Sequence, residues 1–189
     1  MTLYDGMLLY HGSYTAVDNI DLEMCTEGKD FGRGFYMTSS QQQARRFIAI
    51  SLVKAKSTGR VPQNQTHGYV STFQLHLNSD VRIYEFAKCS EQWLWFISLN
   101  RRARLADSLA PLVSSEILQA EIVVGKVAND TTNPVITTYL NGLYGDITSQ
   151  RAINFAIEEL LPDHLVDQIC FRTEQAIGHL EYKETIRYG

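Results

Sequence analysis

Two short runs, Leu8-Leu9-Tyr10-His11-Gly12-Ser13 and Phe31-Gly32-Arg33-Gly34-Phe35-Tyr36-Met37-Thr38, bring together the residue types that could do chemistry. The first reads as a buried strand stopped by Gly12, the second as a glycine-bent loop entering another strand. One cleft would then hold an imidazole, free backbone amides and an aromatic ring. A glycine beside His11 lets a ligand come close to the main chain, whose N–H and C=O can pair with a carboxamide. Both runs also have plain readings, a histidine satisfied within the structure and glycines that only make a turn. The glycine loop lacks the G-x-G-x-x-G of a Rossmann phosphate loop and the G-x-x-x-x-G-K-[ST] of a P-loop. No H-E-x-x-H or G-x-S-x-G occurs, and His67, His76, His164 and His179 show no metal-ligand spacing, so no metal is expected.

The elements that must place these residues follow from periodicity. Leu8 to His11 and Phe35 to Thr38 predict two short central strands. From Ser40 the period turns helical: Ala44, Phe47, Ile48, Leu52 and Ala55 share a face, so Ser40 caps a helix that Gly59 ends. Arg60 to His67, polar and carrying Pro62, predicts a mobile loop. Alternation of Phe73, Leu75 and Leu77 with Thr72, Gln74 and His76 predicts a strand with one wet face, and Val81, Ile83 and Tyr84 continue as another. Glu91 to Leu109 predicts a helix burying Trp93, Phe96 and Ile97, with Arg101, Arg102 and Arg104 near its far end. Ile122 to Val127 predicts a strand, Asp130 caps a helix that Gly142 stops, and Thr148 or Ser149 starts a helix whose face is Ala152, Phe155, Ala156 and Leu160. That helix ends at Leu161-Pro162. Val166 to Phe171 and Glu181 to Arg187 are the last strands. Strands and helices mix without regular alternation, which predicts a single α+β domain over residues 1–189.

Composition narrows the function. Hydrophobic residues at 44% and charged residues at 20% put the chain among folded proteins rather than disordered ones. A net charge of -4 argues against a non-specific nucleic-acid binder, although a local basic strip is compatible with it. Cys25, Cys89 and Cys170 are odd in number and form no C-x-x-C pair, which predicts neither a disulfide framework nor a zinc site and implies a reducing compartment. With no signal peptide and no apolar run of ~18 residues in view, the expectation is a cytoplasmic protein that does not enter a membrane.

Tyr10-His11-Gly12-Ser13 followed by Gly32-Arg33-Gly34-Phe35-Tyr36-Met37-Thr38 resembles the first two signature segments of the diphtheria-toxin-like and poly(ADP-ribose)-polymerase-like ADP-ribosyltransferases. More closely, the chain resembles a family of bacterial domains of unknown function placed by motif within that superfamily. The matching segments are Lys29 to Thr38, Trp93 to Ile97, Asn100-Arg101, Gly125 to Asp130 and Asp167 to Ile177. The resemblance implies a split, two-sheet β core with flanking helices and NAD as co-substrate. It assigns a His-Tyr-Gln triad, His11, Tyr36 and Gln168, as the catalytic residues. His11 would bond the adenosine ribose, the Gly12 main chain would hold the nicotinamide amide, and Tyr36 would stack the nicotinamide. Phe47 matches a second aromatic that could sandwich the base, with a core role on its helix as the other reading. Ser13, Gly32, Arg33, Gly34 and Phe35 complete the expected cofactor-binding set, Arg33 facing the pyrophosphate or the acceptor, with an exposed turn arginine as the competing reading.

The third triad position departs from relatives that carry glutamate there. Gln168 can hold a ribose hydroxyl through its amide oxygen, but it brings no charge and cannot act as a general base. Asp167 cannot stand in, because adjacent strand residues point to opposite faces. With Ile169 and Phe171 in the core, Gln168, Cys170 and Arg172 share the other face. Glu23, Glu27 and Asp30 are candidate bases for an acceptor, and Arg101, Arg102 and Arg104 could touch nucleic-acid phosphate. The resemblance thus implies a mono-ADP-ribosyltransferase acting on a macromolecular acceptor, which could be protein, DNA or RNA. A bacterial toxin or phage-defence effector restrained by an antitoxin or other inhibitory partner is the corresponding setting. The alternatives are an inactive NAD- or ADP-ribose-binding module and an NAD glycohydrolase.

Overall fold

A computed structural model of the chain describes residues 2–78, 80–102, 106–127, 133–160 and 166–189. The expected roles of Arg104, Asp130, His164 and the Leu161-Pro162 helix end lie outside them. The described elements are the strands β1 (Leu8–Ser13), β2 (Phe35–Met37), β3 (Gly68–Leu75), β4 (Ile83–Glu85), β5 (Ile122–Val127), β6 (Val166–Phe171) and β7 (Leu180–Tyr188). The helices are α1 (Gln41–Ser57), α2 (Glu91–Arg101), α3 (Ala106–Leu109), α4 (Ser115–Gln119), α5 (Asn133–Leu140), α6 (Gln150–Glu159) and α7 (Glu174–Ile177). The architecture is mixed α+β with two sheets.

The strands fall into a three-stranded sheet of order β1-β3-β7 and a four-stranded sheet of order β2-β6-β5-β4. Pairing is antiparallel except for β4 with β5, whose parallel register needs a crossover, and α2 to α4 supply it. The two sheets pack on each other through Leu9, Phe73 and Leu75 of the first and Phe35, Ile169 and Phe171 of the second. The other face of the second sheet is closed by an aromatic cluster in which Val123 and Cys170 meet Phe31, Trp93, Phe96 and Tyr139. Each fully buried apolar side chain of this kind stabilises by about 1.5–3 kcal/mol.

Helix α1 covers the outer face of the first sheet. Ser40 caps it, its Oγ accepting from the Gln43 N–H, and Ala44, Ile48, Leu52 and Ala55 are its buried positions against Val70. That cover corrects the one-wet-face expectation for β3 at Thr72, which shares the face of Val70 and is only 4% exposed. An alternating pattern records side-chain chemistry, not what packs over it. The predicted helix from Glu91 to Leu109 is also divided, with α2 ending at Arg101. On α6, capped by Ser149, Ile153 takes the core position expected for Phe155, which is 45% exposed and packs edge-on against Tyr144. Cys170, expected opposite the core, is buried with Ile169 and Phe171 because both faces of the second sheet are covered.

Candidate functional site

The two sheets touch edge to edge at one point. Tyr10 N–H donates to the Thr38 carbonyl at 2.8 Å and Thr38 N–H to the Tyr10 carbonyl at 3.0 Å, joining β1 to the end of β2. Beyond that bridge β1 is a free edge. Backbone direction alternates along a strand, so the Gly12 N–H and C=O point the same way as those of Tyr10, outward from β3. No described residue takes them up. A cavity of about 920 Å³ opens at this edge and is lined by His11, Gly12, Ser13, Tyr36, Phe47 and Gln168. That size belongs to the upper range of small-ligand pockets, roughly 300–1,000 Å³.

His11 stands at the mouth between the sheets, its ring 4.4 Å from that of Phe35. Nδ1 lies 2.8 Å from the Tyr36 carbonyl, which can only accept, so Nδ1 carries the proton. Burial pushes the His11 pKa down against the smaller opposing effect of that hydrogen bond, which favours the neutral ring. Nε2 then presents a lone pair and has no partner among the described residues. Tyr36 is tied differently. Its hydroxyl donates to the Gly32 carbonyl and accepts from Phe31 N–H, both at 2.9 Å, and burial drives its pKa well up. The hydroxyl is therefore a strut of the glycine loop, and what Tyr36 offers the cleft is its ring.

The glycines meet packing demands first. A Cβ on Gly34 would lie 2.5 Å from Cys170 Sγ and 2.6 Å from the Phe171 carbonyl, so β2 presses directly on β6. Gly32 adopts φ 84°, the left-handed region that disfavours other residues. A Cβ on Gly12 would lie 1.8 Å from the Ala44 carbonyl of α1. The missing side chain of Gly12 thus admits the helix, and its main chain, on the strand's edge, is what meets the cleft.

Gln168 is half-buried on β6 opposite Gly125, and its amide has no partner among the described residues. Phe47 lines the cleft from α1 and belongs to none of the three core clusters. Ser13 and Phe35 also line it, both largely buried. Gly32 and Arg33 do not: the exposed Arg33 turns its Nε to the Leu22 carbonyl at 3.0 Å. Glu23 and Glu27 are exposed and outside the cleft, whereas Asp30 is buried in an ion pair with Arg101. Arg102 lines the cleft with one guanidinium nitrogen on Thr137 Oγ1 at 2.8 Å. Among the described residues no group of His, Cys, Asp and Glu could hold a metal ion, and no helix is long and apolar enough to cross a membrane.

A family model matches residues 7–182. The chain belongs to that family, a protein of unknown function (DUF3990). No curated protein and no solved structure matches it.

Two features of this DUF3990 chain escaped motif reading. Gln43 crosses the junction of the sheets, its Oε1 accepting from Thr38 Oγ1 at 2.9 Å and its Nε2 donating to the Asp167 carbonyl at 3.3 Å, one residue before Gln168. A polar residue in the first turn of a helix carries no distinguishing pattern. The second feature is charge. Six cations, Lys29, Arg46, Lys54, Arg60, Arg101 and Arg102, line the cleft against two acids, Asp21 and Asp30. Half of that signal was present in the sequence: residues 31–79, which supply Arg46, Lys54 and Arg60, contain six Lys or Arg and no Asp or Glu in a chain of net charge -4.

Proposed function

We propose that this DUF3990 domain is a mono-ADP-ribosyltransferase that uses NAD to modify a macromolecular acceptor. The observation that carries the reading is the unpaired Gly12 N–H and C=O on the free edge of β1, a donor and an acceptor side by side that match the two ends of a carboxamide. Around that pair stand the Tyr36 ring, the Nε2 lone pair of His11 and the free amide of Gln168. Flat-ring stacking on Tyr36, with Phe47 on the same cleft, adds about 0.5–1.5 kcal/mol per ring beyond area burial. Arg46 lies two residues after the Ala44 turn that abuts Gly12, has no ion-pair partner among the described residues, and suits a diphosphate.

In the transfer, the bond from the ribose C1′ to the nicotinamide nitrogen breaks and its electron pair leaves with neutral nicotinamide. A nucleophilic atom of the acceptor bonds to C1′, and its proton passes to water or to a base of the acceptor. This chain supplies orientation: the Gly12 edge fixes the carboxamide, Tyr36 the ring plane, and Gln168 a ribose hydroxyl. Such positioning, with fixed dipoles, accounts for much of the acceleration of dissociative cleavages. The absence of charge at Gln168 specifically favours a second reading, an NAD- or ADP-ribose-binding module without turnover.

Incubation with NAD and assay of nicotinamide release, with and without bacterial extract, separates the readings. Release that requires extract supports the transferase, release without it a glycohydrolase, and calorimetric NAD binding without release the binding module. If Tyr36→Ala leaves NAD affinity unchanged, the site itself is wrong. The split core expected from ADP-ribosyltransferases belongs to this same reading, as do the toxin or phage-defence setting and an inhibitory partner.

A further inference from the structure

The positive charge of the cleft is not spread evenly. Beyond the Gly12–Ala44 contact, α1 runs on past the end of β1 and its cleft face carries Ile50 and Lys54, followed by Arg60 in the connection to β3. Lys54 lies ten residues along the helix from Ala44, about 15 Å at ~1.5 Å per residue, so it sits well past the Gly12 edge. Neither Lys54 nor Arg60 has a side-chain hydrogen bond or ion pair among the described residues, in contrast to Arg101 and Arg102. Tyr14 lines the same end of the cleft. Its N–H donates to Ser51 Oγ at 3.1 Å and its carbonyl accepts from Gln65 Nε2 at 2.9 Å, which ties its backbone between mid-helix and loop, and its half-exposed ring packs against the cluster of Ala44, Ile48, Leu52 and Val70 at the wall of the cleft. Ile50, 43% exposed, adds an apolar surface on the same stretch.

Unpaired cations together with a half-exposed aromatic ring and an apolar side chain, in a concave cleft continuous with the Gly12 edge, suit a chain of phosphates bearing flat rings. We propose that this end of the cleft receives the acceptor and that the acceptor is a single strand of nucleic acid. The proposal rests on the transferase reading above and names the substrate class of that site. A single strand fits better than a duplex, because a ring must leave its stack to enter a cavity. A membrane surface is a poor match for a concavity. An acidic peptide would use the cations and leave Tyr14 and Ile50 without a role. The overall charge of -4 is no obstacle, because residues 31–79 carry six cations and no acid while the rest of the chain holds all 21 acidic residues.

The test is fluorescence anisotropy of the full chain at low salt. The probes are labelled single-stranded DNA and RNA of about 12 nucleotides, within the usual site size, with a duplex of the same sequence and polyglutamate as competitors. Expected are single-strand binding and a log–log salt slope near about -1.4 for two phosphate contacts. A loss of at least about fivefold is expected in Lys54→Glu/Arg60→Glu, and of at least about threefold in Tyr14→Ala. DNA and RNA arms distinguish the source of the strand. Absence of single-strand binding by the wild type, an unchanged affinity in the charge-reversed variant, or stronger competition by duplex or polyglutamate would overturn the proposal. Circular dichroism confirms that each variant is folded, and NAD titration by calorimetry on the same preparations tells the two failures apart. NAD binding without strand binding sinks the acceptor assignment alone. Strand binding without NAD binding overturns the transferase reading and with it the acceptor role.

Discussion

The two walls of the cleft are both polar, but one is saturated and the other is open. On the wall built by residues 30–36 and β6, nearly every polar group has a partner: Asp30 holds Arg101, and the Tyr36 hydroxyl bridges Phe31 N–H and the Gly32 carbonyl. The Cys170 thiol beside them is kept protonated by burial, its pKa pushed up to about 12. On the wall built by β1 and α1, the Gly12 amide and carbonyl, His11 Nε2 and the cations at 46, 54 and 60 are unpaired among the described residues. An unpaired polar group shut away from water costs about 1–3 kcal/mol. A folded chain keeps few such groups out of reach of water or a ligand, here Thr72 Oγ1 and Ser98 Oγ among the described residues. The saturated wall is mainly scaffold, offering the cleft the Tyr36 ring and the Gln168 amide, and the open wall carries most of the groups free to recognise something.

The strongest challenge to that division is Asp30→Ala, which leaves the Arg101 guanidinium, 16% exposed, without its carboxylate. A loss of about 3–5 kcal/mol is expected from breaking one side of a buried pair, read from urea unfolding. A loss below ~1 kcal/mol would mean that the saturated wall is not what holds the loop. Gly12→Ala should cost about 3 kcal/mol, near the top of the usual range for overpacking, because the new methyl meets the α1 backbone; a thermal melt within a degree or so of wild type would refute the close approach. Tyr36→Phe keeps the ring but strands Phe31 N–H and the Gly32 carbonyl, for an expected loss of about 1–3 kcal/mol.

His11 gives a smaller, pH-dependent effect. Its folded pKa is lowered from 6.5, so as pH falls below 6.5 the unfolded chain takes up the proton first and the folded state loses stability until the folded pKa is reached. Above that window the contribution is complete. His11→Asn should flatten this fall, which urea midpoints at about pH 7.5 and about pH 5 would show. An equal fall in both proteins would assign the acid sensitivity elsewhere. Smallest of all is Arg46→Ala, which should move stability by no more than about 0.5 kcal/mol, since its side chain has no described partner to lose. A larger change would show that the open wall is bound up in the fold after all.

Most elements were legible because their signals are local. Ser40 and Ser149 cap the helices they were expected to cap, and Gly59 follows the end of α1 with φ 68°. What failed was face and partner. Thr72 is buried because α1 arrives over β3, and Phe155 is exposed because Ile153 is the residue α6 turns inward. Of the two readings open for Arg33, the structure shows an exposed side chain turned to Leu22, and Asp30 is buried in its pair with Arg101. Period and spacing describe one element at a time, and each of these outcomes depends on a second element from far along the chain.

By itself, the sequence determined that a histidine-glycine strand and a glycine-bent aromatic strand exist, that the domain mixes helices with strands, and that residues 31–79 hold six of its 17 basic residues and none of its acidic ones. Tertiary structure alone decided that β1 ends as a free edge with Gly12 unpaired on it, since among the described residues the backbone bridge between the two sheets is confined to Tyr10 and Thr38. It also decided that Gln168 faces the same cleft. Local chemistry sets what a segment can form, but an unsatisfied backbone group is a property of what fails to pack beside it.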